Sequence, residues 1–240
     1  VRTRAARVEG GWEITGTKLW SSGAQHCQYM TVLARTGERD PDKRHAGLTQ
    51  FLVPLDSPGV TVRGIRDMSG VEHFNETHFE SAFVPDDAVL GAVGEGWKQV
   101  TSELALERSG PERFLSTFIV LEKAMQHSAA GMNGHQAAVF GSILARIRAL
   151  RAMSLGVAAL LDQGHSPEIE AALVKDLGTR LEQDIIERLR EFWPIQMKQG
   201  YGDEFQSLMS DSLLRQPSFT LRGGTNEVLR GIIARGVGLN

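Results

Sequence analysis

The residue whose setting could do chemistry is Glu107. At helical spacing Trp97, Val100 and Leu104 share a face, and Phe114, Phe118, Leu121 and Met125 continue it beyond Pro111. Glu107 joins the two runs on that face. A carboxylate in an apolar stripe is costly to keep charged unless paired, and burial of that kind tunes a general base toward neutral pH. The alternative is that Glu107 turns outward and pairs with Arg108 or another surface charge. Two other groupings carry less. His73, Glu76 and His78 resemble metal ligands, but on a strand His73 faces away from the other two, so no metal is expected. Gly91 to Gly96 reads GAVGEG, which lacks the Lys-Ser/Thr of a phosphate-binding loop and the rest of a dinucleotide fold.

The elements that must position Glu107 follow two grammars. Up to about residue 90 the chain is short β-branched and aromatic runs between Gly, Pro, Asp and Asn. Strands are expected around Arg2–Arg7, Trp12–Thr15, Lys18–Trp20, Tyr29–Ala34, Leu48–Val53, Val60–Arg66 and His78–Val84, with Gly16 as a break. Such strands suggest an antiparallel barrel or sandwich. From Gly96 the periods are helical: Trp97–Ala129, His135–Gln163, Pro167–Gln199, Phe205–Leu214 and Asn226–Val237, with Ser166 and Pro167 as cap and first residue of the third. Long Ala- and Leu-rich helices with short loops imply a bundle. The expected organisation is α+β: a β domain over residues 1–90, incomplete at its start, and an up-down four-helix bundle over 91–240.

Composition narrows the class. The 240 residues carry a net charge of −3, 41% hydrophobic and 23% charged residues, which gives no electrostatic reason to expect nucleic acid. One cysteine, Cys27, cannot form an internal disulfide and favours a reducing compartment. No run reads as a signal peptide or a transmembrane span. A cytoplasmic protein is expected.

Five segments in a fixed order then point further. They are TGTKLWSSGAQHCQYMTVLART, FLVPLDSPGVTV, HFNETHFESAFVPDDAVLG, the helix with LALER, and LRGGTNEVLRGIIARGVGL. Together they resemble the acyl-CoA dehydrogenase family across the chain. The resemblance implies FAD as cofactor, an acyl-CoA substrate, an electron-transfer flavoprotein or similar acceptor, and a homo- or hetero-oligomer. It also implies that a helical domain precedes these residues in the whole protein. Trp20 and Ser22 match positions that shield the flavin ring and hydrogen-bond near its N5. Thr225 and Glu227 match the loop at the flavin phosphates and ring edge. Arg108, Gly223 and Gly224 fall on the substrate side, where a loop N–H would serve the enolate oxygen.

Two departures refine the reading. The family's commonest catalytic glutamate precedes Gly-Thr in the C-terminal loop, and here that position is Gly223. In the isovaleryl- and long-chain-type members the base lies on the first long helix of the C-terminal domain in a Leu-Glu-Arg context, which Leu106-Glu107-Arg108 matches. The Arg-x-x-Phe-Gly that clamps a partner's flavin is replaced by Gly131 to Gln136, without arginine. The loop that meets the partner's adenine survives only as Gln196 to Gly200. This pattern suggests a heteromer, as in members acting on bulky, sterol-derived thioesters. The expected reaction is α,β-dehydrogenation with Glu107 as base. The alternatives are a non-catalytic subunit of the same fold and a flavin oxidase or monooxygenase on it.

Overall fold

The computed structural model describes residues 1–129, 131–195 and 204–239, apart from the Ala105 side chain. The described chain forms two units, Val1–Ser102 and Glu103–Asn240. Strands β1 (Arg4–Val8), β2 (Gly11–Ser22), β3 (Tyr29–Arg35), β4 (Leu48–Pro54), β5 (Val60–Ile65), β6 (Phe74–Pro85) and β7 (Val89–Leu90) build the first unit. They lie in the order β5-β6-β2-β1-β3-β4-β7. The sheet is mixed and open, where a wholly antiparallel barrel or sandwich was expected. The reason lies in β1, a five-residue strand hairpinned to β2. Its other edge is taken by β3, which runs parallel to it with Arg4 opposite Arg35.

Strand length also departs from the expected pattern. Gly16 does not end a strand; β2 runs through it for twelve residues, with a register shift against β6 between Ile14 and Gly16. In β6 the buried positions are Asn75, Thr77 and Phe79, then Ala82 and Val84. An irregularity at Ser81, at φ 48°, moves the alternation by one residue and keeps both halves facing the core. That core contains Trp12, Ile14, Val32, Phe51, Phe79 and Val84.

The helices are α1 (Gly96–Ser109), α2 (Phe118–Ser128), α3 (Gly134–Asp162), α4 (Glu168–Phe192), α5 (Glu204–Arg215) and α6 (Asn226–Gly236). The stripe expected from Trp97 to Met125 is broken. Gly110 is extended (φ −63°, ψ 155°), as a residue before proline prefers, and α1 stops one residue earlier. Phe114 and Leu121 are buried while Trp97 and Phe118 are exposed, so the run does not share one face. α4 also starts a residue later than expected. Pro167 at ψ 59° is not helical and supplies no side-chain cap, so Ser166 is not the N-cap. Glu168 and Glu170 fill the first turn, where carboxylates favour the free N–H groups.

α4 is the central helix of the second unit. It buries Ala171, Val174, Leu181, Ile185 and Leu189 in a core with Leu121 and Ala124 of α2 and Ile143, Ile147 and Leu150 of α3. A Cβ on Gly178 would stand 2.5 Å from the Arg113 carbonyl oxygen, so glycine lets the 3₁₀ turn Pro111–Arg113 lie against the helix. Among the described residues no helix is long and apolar enough to cross a membrane.

Candidate active site

The buried face of α4 carries two charges seven residues apart, Lys175 and Glu182, both fully buried. Charges there need partners. The Lys175 Nζ donates to the Thr220 carbonyl at 3.0 Å, the Gly224 carbonyl at 2.6 Å and Asn226 Oδ1 at 2.6 Å. Burial, with Arg113 nearby, pushes its pKa down to about 8. Glu182 accepts from the Ser116 N–H at 2.8 Å and from Arg222 Nη2 at 2.6 Å. Burial holds its carboxyl above the usual range, against the pull of Arg222 and Ser116. Asn226, itself buried, closes the ring: its N–H donates to the Thr220 carbonyl at 3.1 Å. The Thr220–Asn226 loop is thus tied to α4 at both ends.

Glu107 approaches this loop from α1. Its carboxylate is half-exposed, with Oε1 accepting from Arg113 Nη2 at 2.5 Å. Arg113, 6% exposed, also donates from Nε to the Glu107 carbonyl at 3.0 Å. The outward-turned alternative therefore describes the side chain better than the stripe did, with Arg113 rather than Arg108 as partner. The neighbouring Arg108, buried, donates from Nε to the Gly223 carbonyl at 3.1 Å. Gly223 and Gly224 sit at φ 67° and 92°, where side chains are disfavoured. A Cβ on Gly223 would lie 3.3 Å from Arg113 Cζ. Gly223 and Glu107 thus face one guanidinium.

Thr225 caps α6, accepting from the Val228 N–H at 3.4 Å. Glu227 is exposed; its own N–H and the Thr225 hydroxyl hold its carboxyl below the usual range. Glu107, Arg108, Gly223, Gly224 and Thr225 are brought into one neighbourhood of the second unit. In the first unit Trp20 stands at φ 66°, 63% exposed, with its ring edge against Phe74 at 5.8 Å. It falls in the irregular stretch of β2 between Lys18 and Ser21, and buried Asn75 donates to the Ser21 carbonyl at 3.0 Å. Ser22 pairs with Phe74 and is exposed. Gln196 and Gly200 lie outside the described residues. Asn133 and Gln136, where an arginine was looked for, form a capping box at the start of α3.

Each unit, taken by itself, carries one feature that fits FAD. A large indole held open to solvent in a strained backbone conformation is unusual unless a ligand face covers it. Among the described residues, no protein acceptor meets the N–H groups of Gly223 and Gly224, which leaves them free for an anion. Sequence reasoning missed Arg113, Lys175, Glu182 and Asn226. A signal existed for two: Lys175 and Glu182 interrupt the apolar face of α4 at i and i+7. Arg113 carries none, because its turn lies outside any period.

Comparison with known proteins identifies the family. The acyl-CoA dehydrogenase middle domain matches residues 1–82 and the acyl-CoA dehydrogenase C-terminal domain matches residues 94–238. The chain belongs to the acyl-CoA dehydrogenase family. Among particular relatives, it is 31% identical to acyl-CoA dehydrogenase FadE34 of Mycobacterium tuberculosis over 98% of this chain and 32% of that protein. The G363A variant of the Tcur3481-Tcur3483 steroid ACAD shares the fold with TM-score 0.87 at 23% identity, over 100% of this chain and 64% of that one. The ChsE4-ChsE5 complex from Mycobacterium tuberculosis does so with TM-score 0.81 at 24% identity, over 100% and 65%. This chain thus spans about a third of FadE34 and under two thirds of those solved chains.

Proposed function

We propose that this chain is the base-bearing part of an FAD-dependent acyl-CoA dehydrogenase that desaturates a thioester between its α- and β-carbons. The observation that supports it is the convergence on Arg113: Glu107 binds that guanidinium, and a side chain at Gly223 would meet it too. A carboxylate rooted on α1 can then stand in for one rooted in the loop. FAD, when bound, supplies the hydride acceptor. Glu107 removes the α-proton; Arg113 fixes one carboxylate oxygen, which leaves the other for the substrate. Negative charge grows on the thioester oxygen as the proton leaves, and one N–H of the turn, that of Gly223 or Gly224, is the donor this chain offers it. Arg108 steadies that turn through the Gly223 carbonyl. Trp20 excludes water, Ser22 supplies a hydroxyl beside it, and Thr225 and Glu227 serve the cofactor at the start of α6.

Residues 1–90 would be the family's middle domain and 91–240 its up-down four-helix bundle, acting in the cytoplasm with an electron-transfer flavoprotein or similar acceptor. The absence of side chains at Gly223 and Gly224 supports a bulky or branched, sterol-derived acyl group, in line with the steroid substrate class in the name of the Tcur3481-Tcur3483 enzyme. The neutral start of α3 supports an unlike partner, the arrangement the ChsE4-ChsE5 complex bears in its name. Gln196 and Gly200 would then face that partner's cofactor.

The test uses the full-length protein with any co-purifying partner. Glu107→Gln is expected to slow anaerobic bleaching of flavin absorbance by acyl-CoA about 10²–10⁴-fold with flavin still bound. An unchanged rate would remove Glu107 from the reaction. Wild-type protein that binds flavin but bleaches with no thioester would favour the non-catalytic subunit, which the glycine at 223 also fits. Rapid oxygen uptake after reduction would indicate the oxidase. A stable self-dimer with one flavin per chain would overturn the heteromer.

A further inference from the structure

Lys175 belongs to no part of the proton-transfer machinery, yet among the described residues of the second unit no other side chain reaches as much of the Thr220–Asn226 loop. An ammonium has three N–H donors and no acceptor. Here they meet three acceptors: the carbonyls of Thr220 and Gly224 and Oδ1 of Asn226. The first and last of these are the ends of the loop, and the second is its glycine turn. Thr179, one turn along α4, also donates to Asn226 Oδ1 at 3.3 Å. Nothing about packing requires a lysine there, since the surrounding face of α4 is Ala171, Ala172, Val174 and Gly178.

We propose that Lys175 is the positioning residue of this loop: its ammonium, bound to three acceptors at once, holds the Gly223–Gly224 turn in place, and loss of one proton releases it. The catalytic consequence rests on the function proposed above; the hold on the loop does not. A neutral amine keeps two donors, so one of the three acceptors loses its bond and buried oxygen is left unpaired. The charged groups around Lys175 are Arg113 from the 3₁₀ turn, Arg108 from α1, Arg222 from the loop, Asp176 on its own helix and Glu227 on α6. Asp176 is engaged by Arg180 at 2.5 Å and Arg230 at 3.2 Å, and Arg222 by Glu182. The local field is therefore cationic, and with burial it brings the Lys175 pKa to about 8.

The sign of the linkage separates positioning from bulk stability. Folded Lys175 releases its proton near pH 8, whereas an unfolded lysine keeps it to about 10.4. Between those values the unfolded chain binds more protons, so this group's contribution to global stability rises with pH. The loop loosens over the same interval: when the turn lifts, Lys175 loses its acceptors but stays desolvated beneath Arg113 and Arg108, so the open state holds the proton less tightly than the closed one. A merely structural lysine would move both together.

The experiment is hydrogen exchange by mass spectrometry on the holoenzyme with its partner, across pH 7 to 9.5, with rates divided by the intrinsic rate at each pH. Peptides covering 220–226 are expected to lose protection at least tenfold around pH 8, while peptides from the middle of α4 keep theirs. In Lys175→Met the loop is expected to exchange fast at every pH. Flat loop protection in the wild type would overturn the proposal, and so would a loss spread evenly over the second unit. The wild-type series needs no variant, so a Lys175→Met that fails to fold leaves the test intact. The alkaline limb of flavin bleaching by acyl-CoA is read on the same samples. Loop exchange that responds while bleaching does not would keep the positioning role and overturn the loop's catalytic assignment.

Discussion

Two helix starts in the second unit solve the same problem in opposite ways. At α3, Asn133 Oδ1 accepts from the Gln136 N–H at 2.8 Å and Gln136 Oε1 accepts from the Asn133 N–H at 3.1 Å. The arrangement is neutral, exposed and satisfied within four residues. At α6, Thr225 makes one long cap bond, and the loop before it is held from below by Lys175, Arg108 and, through Glu182, Arg222. The first start commits the Asn133 and Gln136 N–H groups to its own box. The second leaves the Gly223 and Gly224 N–H groups without a protein acceptor among the described residues, on a cationic floor. The loop before α6 thus offers donors that are placed by the protein but not consumed by it, on a floor of buried charge.

The most damaging change should be to that floor. Glu182→Ala removes the partner of Arg222 and the acceptor of the Ser116 N–H in a fully buried place. Breaking a buried ion pair costs about 3–5 kcal/mol, and the lower end applies because the Arg222 side chain is 32% exposed and regains some water. Thermal melting of the intact protein checks it. No equivalent loss is available at the start of α3, where both partners are already exposed. A melting point unmoved by Glu182→Ala would erase the contrast between the two starts.

This contrast was only half legible in the sequence. Helix spans for α3, α5 and α6 were readable within a residue or two, and Asn133 and Thr225 mark the starts of α3 and α6 as side-chain caps. The sheet's strands were readable as apolar runs, but not its order. Pairing of β1 with β3 is a contact between distant segments that leaves no local trace. Glu107 was singled out through a false premise: the stripe it was placed in is cut at Gly110, and the carboxylate is half-exposed and paired with Arg113. The Leu-Glu-Arg context singled it out independently of periodicity. The buried ionic floor was passed over for a different reason. Lys and Glu on a helix read as solvated by default, and only their phase against the apolar face of α4 marks them as interior.

A smaller change probes the glycines. Gly223→Ala at φ 67° should cost about 1–2 kcal/mol. Its methyl would also press on Arg113 and disturb the grip on Glu107. Bleaching by acyl-CoA is expected to slow about tenfold, the rate equivalent of about 1.4 kcal/mol. Gly134→Ala, at the start of α3, meets open space and should be neutral or stabilise by about 0.5–1 kcal/mol. Equal effects at the two glycines would mean that the turn before α6 is not held against Arg113.

The finest discrimination comes from the caps themselves. Thr225→Ala and Asn133→Ala each remove one N-cap side chain, worth about 1 kcal/mol. On stability alone the two should be close, with Asn133→Ala the larger of the pair because its bonds are shorter and reciprocal. On flavin retention they should part. Thr225 sits beside the free N–H groups and donates toward Glu227, so its loss is expected to weaken flavin binding several-fold. Asn133 caps a start with no buried charge beneath its box, and its loss should leave flavin affinity unchanged in the chain that carries it. Denaturation midpoints and flavin release by dilution, measured on both variants, give the two axes. Parallel losses on both axes would mean flavin retention follows overall stability, and the donors before α6 would have no special claim on the cofactor. Loss of retention in Thr225→Ala alone would tie the cofactor to the helix start whose donors the fold leaves free.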